Sequence, residues 1–184
     1  MNDFKECTWN YFYGDLKEAI PTNAPEERGK EIDLRGYIDS DHAEDNKKRR
    51  PRSGFFIFLN TSLIKYFSKK QATIETSIFG AEFVSMKIVT ETLRGIRYKL
   101  RIMGVPIYGP SFIYGVNMLV INNNQRPEFT LKKKSNSIFY HAVCESIAMG
   151  DSLTGNVGTN KNCADLATNV LYVGKCRFHV SNLL

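Results

Sequence analysis

The strongest constraint on the fold of this chain is a change in the spacing of its apolar residues. Three consecutive segments, 32–43, 53–60 and 62–69, are rich in branched and aromatic side chains of the kind that form β-strands. From about residue 76 to residue 103 the apolar spacing changes to three and four residues, which is typical of an amphipathic helix. This order of segments predicts an α/β domain.

The predicted strands can be arranged from their connections. A very short polar joint near Asn60 and Thr61 connects the second segment to the third, so the two are expected to form a hairpin, and three antiparallel strands begin the sheet. Gly104 and Pro106 end the long helix. The apolar run at 111–115 follows a helix, which predicts a strand that is buried and parallel to its neighbour.

The remaining segments complete a mixed layout. A short helix is predicted within 116–125, and a second amphipathic helix over 137–149. The apolar stripe of the second helix is expected to run through Ile138, with His141 packed in the core. Residues 152–157 alternate in polarity and predict a last strand.

Three carboxylates fall where this layout could bring them together. Asp39 lies where the first strand is expected to stop, and Glu82 is in line with the apolar stripe that begins at Met86. Asp165 lies in the first turn of a short helix, where the helix dipole favours an acid. A buried carboxylate costs free energy unless it is solvated or paired, and a metal ion is one possible partner. Taken singly, an aspartate such as Asp39 is usually a turn former, and Glu82 is interpreted as a residue at the edge of the stripe that reaches solvent.

Composition sets broad limits on the protein. The chain has 184 residues, of which 42% are hydrophobic, enough for one domain with a sizeable core. No apolar run approaches the ~20 residues that span a bilayer, and the first residues lack the basic and then apolar pattern of a signal peptide. We therefore expect a cytoplasmic or nuclear protein without a membrane partner. Its four cysteines have no C-x-x-C spacing and are expected to be free thiols.

Positive charge is concentrated in three clusters, at 47–52, 69–70 and 132–134, and the formal net charge is +6. Charge runs are usually solvated loops. Three of them in one chain nevertheless make a polyanionic partner plausible. The predicted nucleic-acid contacts are Lys69, Lys70, Arg49 and Arg50.

Five segments carry a resemblance to a known family. In chain order they are GYIDSDHA, SGFFIFLN, FSKKQATIETSIFGAEFVSM, IYGVNMLV and CADLATNV. Over about residues 30–170 the chain resembles the ribonuclease H domain of copia-type (LTR) retrotransposon Pol polyproteins. The resemblance implies a ribonuclease H-like domain at 32–170, with a mixed five-stranded sheet of three antiparallel strands and then parallel strands, flanked by helices. It also implies that 1–31 connect the domain to an upstream reverse transcriptase and that 171–184 form a C-terminal tail.

The resemblance further implies a chemistry. Members of this family hydrolyse the RNA strand of RNA–DNA hybrids with two divalent ions, Mg²⁺ or Mn²⁺. By position, Asp39 would be the ligand shared by both ions, with Glu82 and Asp165 as further ligands. The fourth ligand of the family, an aspartate, is replaced by Val116, and Asn117 is expected to face the wrong way to substitute for it. Because valine cannot bind a cation, we expect impaired hydrolysis with one ion retained.

Other departures lead to the same expectation. Asn169 stands where family members often carry lysine, Cys144 where they carry arginine, and a histidine that assists product release in some relatives has no obvious counterpart. The first hypothesis is therefore an impaired nuclease. The second is a non-catalytic remnant that still binds nucleic acid through its basic clusters, and the third is a fragment without selected activity.

Overall fold

The computed structural model describes residues 19–41, 50–72, 78–124 and 134–183. A five-stranded sheet is flanked by helices on both faces. In chain order the elements are β1 (Leu34–Asp41), β2 (Arg52–Leu59), β3 (Ser62–Lys70), α1 (Ile78–Ile102), β4 (Ser111–Gly115), α2 (Met118–Asn124), α3 (Lys134–Ala148), β5 (Ser152–Asn156), α4 (Asp165–Thr168) and α5 (Val173–Leu183).

The sheet has the predicted mixed topology. Its strands lie in the order β3-β2-β1-β4-β5. β2 pairs antiparallel with both β1 and β3, whereas β4 pairs parallel with both β1 and β5. Asn60 turns the β2–β3 hairpin with a positive φ of 55°, a conformation that asparagine tolerates better than most residues. The carboxyl ends of β1, β4 and β5 therefore lie along one edge of the sheet.

One face of the sheet packs on the long helix α1. Met86, Val89 and Leu93, the first residues of the predicted stripe, have no exposed surface. In β1, Gly36 lets this helix approach closely, because a Cβ atom there would lie 3.1 Å from Val89 Cγ2. Gly104 follows the end of this helix and has a positive φ of 72°, the left-handed conformation that often terminates a helix.

Helix α3 turns a different face to the core than the sequence predicted. Tyr140 is 1% exposed, and Val143 and Cys144 are completely buried. Ile138 is 59% exposed, and His141 is also exposed, so their assignment to the core was wrong. Both sets of residues repeat at helical spacing, so periodicity alone does not choose between them. Packing against the rest of the molecule makes the choice.

The opposite face of the sheet is covered by α4 and α5. Phe56, Phe58, Cys163 and Ala164 form its buried cluster. Cys163, Cys144 and Cys176 are free thiols, as predicted. None of the helices within the described ranges is long and apolar enough to cross a membrane.

Candidate acidic site at the carboxyl ends of the parallel strands

The site begins on β1, the central strand. Asp39 pairs in register with Gly54 of β2, and the strand continues for two residues to Asp41, so Asp39 is not at the strand end as predicted. In the parallel neighbour, β4 ends at Gly115, which packs on β1 so closely that a Cβ atom there would lie 3.3 Å from Ile38 Cγ1. The loop after β4, which begins at Val116, therefore starts beside the carboxyl-terminal part of β1.

Gly54 brings the helix α4 against the sheet. A Cβ atom at Gly54 would lie 2.7 Å from Ala167 Cβ and 2.7 Å from Thr168 Cγ2, which is too close for any other residue. The loop ahead of α4 is fixed by Asn162, whose Nδ2 donates to the Ile38 carbonyl at 2.8 Å. These two contacts position the first turn of α4 beside Asp39.

The carboxylate of Asp39 is held by α4 and the residue that follows it. The Thr168 hydroxyl donates to Asp39 Oδ2, and Asn169 Nδ2 donates to the same oxygen at 3.2 Å. The Asn169 amide also donates to Asp165 Oδ1, so it bridges the two acids. Burial raises the pKa of Asp39, the Thr168 hydrogen bond opposes this, and the charge of Asp165 adds to the rise.

Glu82 reaches the same region from the first half of α1. Burial raises the pKa of Glu82 to about 7, a hydrogen bond from the Asn117 side chain opposes the rise, and the charge of Asp39 adds to it. The other end of the Asn117 amide caps α2, because its Oδ1 accepts from the Leu119 amide at 2.9 Å. The expectation that Asn117 faces away from the site was therefore wrong.

The start of α1 is fixed by the glutamine of the SKKQ segment. Gln71 is 5% exposed, and its Nε2 donates to Ser53 Oγ and to the Ala81 carbonyl, both at 2.8 Å. The Ser85 hydroxyl completes the contact by donating to Ser53 Oγ at 2.7 Å. Gln71 thus ties the end of β3 to the turn of α1 that carries Glu82.

Asp165 is paired with a lysine that the sequence analysis did not single out. The Lys175 ammonium of α5 contacts Asp165 Oδ2. His179, one turn further along α5, is 1% exposed. Burial and the charge of Lys175 lower the pKa of His179, and the charge of Asp165 opposes them. Helix α5 lies in the stretch for which the sequence gave no signal.

The structure brings Asp39 into electrostatic contact with both Glu82 and Asp165. It does not arrange them as a ready metal centre: in the described part of the chain, no three His, Cys, Asp or Glu side chains are grouped so as to hold a metal ion. Both oxygens of Asp165 already have partners, in Lys175 and Asn169. The residues present therefore do not fit a centre with two ions, and the three acids as ligands stay a prediction.

The predicted nucleic-acid contacts are only partly visible. Lys69 and Lys70 are exposed at the end of β3, and Arg50 is exposed just before β2. Arg49 lies in the segment 42–49, outside the described residues. Their contacts with nucleic acid stay a prediction.

Several residues of the site were missed by sequence reasoning. Thr168 and Asn169 follow Asp165 by three and four residues, so they share its face of the chain, and a helix-face argument applied to CADLATNV would have found them. Lys175 and His179 had no such signal. They lie beyond a break in the helical pattern and reach Asp165 only through the packing of α5.

The chain is similar in sequence to known proteins. The chain is 26% identical over 144 residues to the "Retrovirus-related Pol polyprotein from transposon RE2" of Arabidopsis thaliana, an alignment that covers 78% of this chain and 10% of that protein. It is 22% identical over 138 residues to the corresponding polyprotein from transposon TNT 1-94 of Nicotiana tabacum, covering 75% and 10%. The chain thus spans about a tenth of the length of these relatives. No family model matches it.

Solved structures agree on the fold. Ribonuclease H1 from the halophilic archaeon Halobacterium salinarum superposes with a TM-score of 0.54 at 11% identity, covering 74% of this chain and 94% of that one. LC11 ribonuclease H1, solved in complex with an RNA/DNA hybrid, gives a TM-score of 0.56 at 15% identity with the same coverage. The sheet order, the flanking helices and the sequence similarity all support the same fold. The chain has a ribonuclease H-like fold, and its homologues are retrovirus-related Pol polyproteins of copia-type retrotransposons.

Proposed function

We propose that this domain binds RNA–DNA hybrids and hydrolyses their RNA strand only weakly. The observation that carries the proposal is the meeting of Asp39 with Glu82 and Asp165 beside the carboxyl ends of the parallel strands, next to a loop that begins with Val116. Under this proposal, Asp39, Glu82 and Asp165 occupy three of the four acidic positions that the family resemblance implies. Val116, proposed at the fourth position, has no side-chain oxygen to offer a cation.

The electrostatics of the site supports a cation partner. Asp39 and Glu82 are largely buried, which raises the pKa of both carboxyl groups, and the charge of Asp39 raises the pKa of Glu82 further. Carboxylates in this condition take up either a proton or a cation. One Mg²⁺ or Mn²⁺ held by this pair, when bound, would supply a Lewis acid next to the scissile phosphate.

The protein residues around the pair have separate tasks. Thr168 and Asn169 fix the orientation of the Asp39 carboxylate, and the Asn117 amide fixes that of Glu82. Lys69, Lys70 and Arg50, with Arg49, are proposed to contact the phosphate backbone, where neutralised phosphates make affinity fall steeply with salt. An upstream reverse transcriptase, joined through 1–31, is the proposed covalent partner.

A nuclease assay on purified domain tests the proposal. With Mn²⁺, we expect slow nicking of an RNA–DNA hybrid by the natural sequence, at least tenfold faster nicking by Val116→Asp, and none by Asp39→Asn. Circular dichroism would establish that each variant is folded. A folded Val116→Asp protein that cleaves no faster than the natural sequence would contradict the assignment of this site.

The alternative is a hybrid-binding domain without hydrolysis. The pairing of Asp165 with Lys175 favours it, because one of the three remaining acids is already neutralised. Under this alternative the natural protein binds hybrid and never cleaves it. Binding measured between 50 and 200 mM salt should weaken steeply in either case, and the Lys69→Ala/Lys70→Ala double variant should reduce that salt dependence.

A further inference from the structure

We propose that a pocket between the sheet and α5 binds single-stranded nucleic acid, with one base against its aromatic walls and the adjoining phosphate at Lys161. The pocket includes Arg35 in the first half of β1. Arg35 precedes Asp39 by four strand residues, which is a separation of about 13 Å. The pocket is therefore distinct from the acidic site, and the inference goes beyond the proposed function without resting on it.

The pocket has the size and the walls that a nucleobase needs. Its volume is about 420 Å³, within the range of ~300–1,000 Å³ that is typical of small-molecule sites. Tyr37 of β1, Phe58 of β2 and Phe178 of α5 line it. Phe58 is 8% exposed and Phe178 is 50% exposed, so one aromatic wall is buried and another is accessible. Aromatic side chains bind any base by stacking, without sequence preference.

The aromatic surface continues beyond the pocket along β4. Tyr37 stacks on Tyr114 with ring centroids 5.2 Å apart, and Tyr114 stacks on Phe112 with centroids 5.9 Å apart. Phe112 is 38% exposed. Gly155 of β5 makes room for this row, because a Cβ atom there would lie 3.0 Å from Tyr114 Cε1. A free nucleotide would occupy the pocket alone, whereas a strand has further bases to place along the row.

The charge of the pocket favours a phosphate over an apolar protein partner. Among the described residues that line it, Arg35 and Lys161 are cations and none is an acid. Arg35 Nε lies 3.3 Å from Asp33 Oδ2, and its Nη2 donates to the Asn60 carbonyl at 2.8 Å, so this cation is fixed and partly neutralised. Lys161 is exposed and has no ion-pair partner in the described part of the chain. A protein partner that covered it would bury an unpaired ammonium, whereas a phosphate neutralises it.

Fluorescence anisotropy on the full chain tests the proposal, with a labelled oligothymidylate of about 15 nucleotides in EDTA. Phe178→Ala should weaken binding about tenfold, because a stacking surface for a base is lost. Lys161→Gln should lower the slope of log affinity against log salt by about 0.7, the value for one phosphate contact on a single strand. The controls are Tyr66→Ala and Lys99→Gln, which alter an exposed aromatic residue and an exposed lysine outside the pocket and should change neither quantity.

The same variants separate this inference from the proposed function. Phe178→Ala should leave the affinity for an RNA–DNA hybrid unchanged, and Lys69→Ala/Lys70→Ala should leave the affinity for the single strand unchanged. Ultraviolet cross-linking of the oligothymidylate to the natural chain, read by mass spectrometry, needs no variant. We expect adducts at Tyr37 or Phe178, and adducts found only outside the pocket would overturn the proposal.

Three further results would overturn it. The first is a natural affinity for the oligothymidylate in both Phe178→Ala and Lys161→Gln, once circular dichroism has established that they are folded. The second is binding of thymidine monophosphate as tight as that of the oligothymidylate, which would assign the pocket to a free nucleotide. The third is self-association in analytical ultracentrifugation that Phe178→Ala abolishes, which would assign this surface to a second copy of the chain.

Discussion

Acidic side chains cluster at both ends of the sheet, but the two clusters differ in how fully they are paired with cations. At the amino end of β5, Asp151 is faced by Arg97 Nε at 3.5 Å and Arg94 Nε at 3.8 Å, and Arg94 also pairs with Glu145 at 3.3 Å. At the carboxyl end of the parallel strands, Asp39, Glu82 and Asp165 meet, and Lys175 is the cation that the described residues bring to them.

The difference separates structural charge from functional charge. Where each acid has its arginine, the buried charges are neutralised within the chain and the fold does not need a ligand. At the other end, the pKa values of Asp39 and Glu82 are raised above their ordinary values, which means that the folded state disfavours their charge. Such uncompensated acids lower stability and are typical of sites that bind something.

Removing Arg97, at the end of the sheet where arginines neutralise the acids, should have the largest effect on stability. Arg97 is 5% exposed, and its NH1 donates to the Gly109 carbonyl at 2.8 Å and to Ser111 Oγ at 3.1 Å. Arg97→Leu would leave the Gly109 carbonyl and Ser111 Oγ without this donor, and Asp151 with only the more distant Arg94. We expect the free energy of unfolding to fall by about 3 kcal/mol, measured by urea denaturation.

An exposed ion pair on the same helix provides the control for that variant. Lys87 Nζ lies 2.9 Å from Glu91 Oε1, with half of the glutamate side chain in solvent. Lys87→Leu should change the unfolding free energy by less than about 0.5 kcal/mol. Equal losses for the two variants would contradict the view that burial makes the arginine end structural.

A methyl group at Gly54 should disturb the site of Asp39 and Asp165, with an intermediate loss of stability. The Cβ atom would clash with Ala167 and Thr168 and push α4 from the sheet. We expect Gly54→Ala to lower the unfolding free energy by about 2 kcal/mol and to weaken Mn²⁺ binding, because Asp165 moves away from Asp39. Denaturation and calorimetry measure the two effects.

The matched control is a glycine with open space. Gly95 lies in α1, and a Cβ atom there would meet nothing within 4 Å. Gly95→Ala should stabilise the protein by roughly 0.5–1 kcal/mol through helix propensity. If Gly54→Ala were as harmless as Gly95→Ala, the close packing of α4 would not be what positions Asp165.

The smallest expected effect is a change in pH dependence. The pKa of Glu82 is about 7 in the folded protein, against 4.5 for the ordinary group, so the folded state binds its proton more tightly than the unfolded state. Its ionisation therefore lowers stability as pH rises from about 5 to 7, by about 1–2 kcal/mol. Glu82→Gln should flatten this decline in metal-free thermal denaturation, and an unchanged slope would contradict the burial of this charge.

Much of the fold was predictable because it is encoded locally. The hairpin at Asn60, the helix that ends before Gly104 and the strand at 111–115 each follow from spacing and turn residues within one segment. Helix α3 was predicted as an element with the wrong face inward, since Ile138 and Tyr140 both belong to helical stripes. Propensity locates an element, whereas packing decides its rotation.

The candidate site was predictable only in part. The acids Asp39, Glu82 and Asp165 were selected from the sequence by a resemblance, and the structure brings Asp39 near the other two. The partners that set their charge state, Asn117 and Lys175, were respectively misjudged and missed. Neither partner is adjacent in sequence to the acid that it contacts.

The sequence by itself determined the order of strands and helices along the chain, because hydrophobic periodicity and turn chemistry act over a few residues. Only the tertiary structure decided that α5 would deliver Lys175 to Asp165 and that Asn117 would turn to Glu82. The physical reason is that electrostatic pairing depends on distance in space. That distance is fixed by the close packing of α4 on Gly54 and by the parallel alignment of β1 with β4.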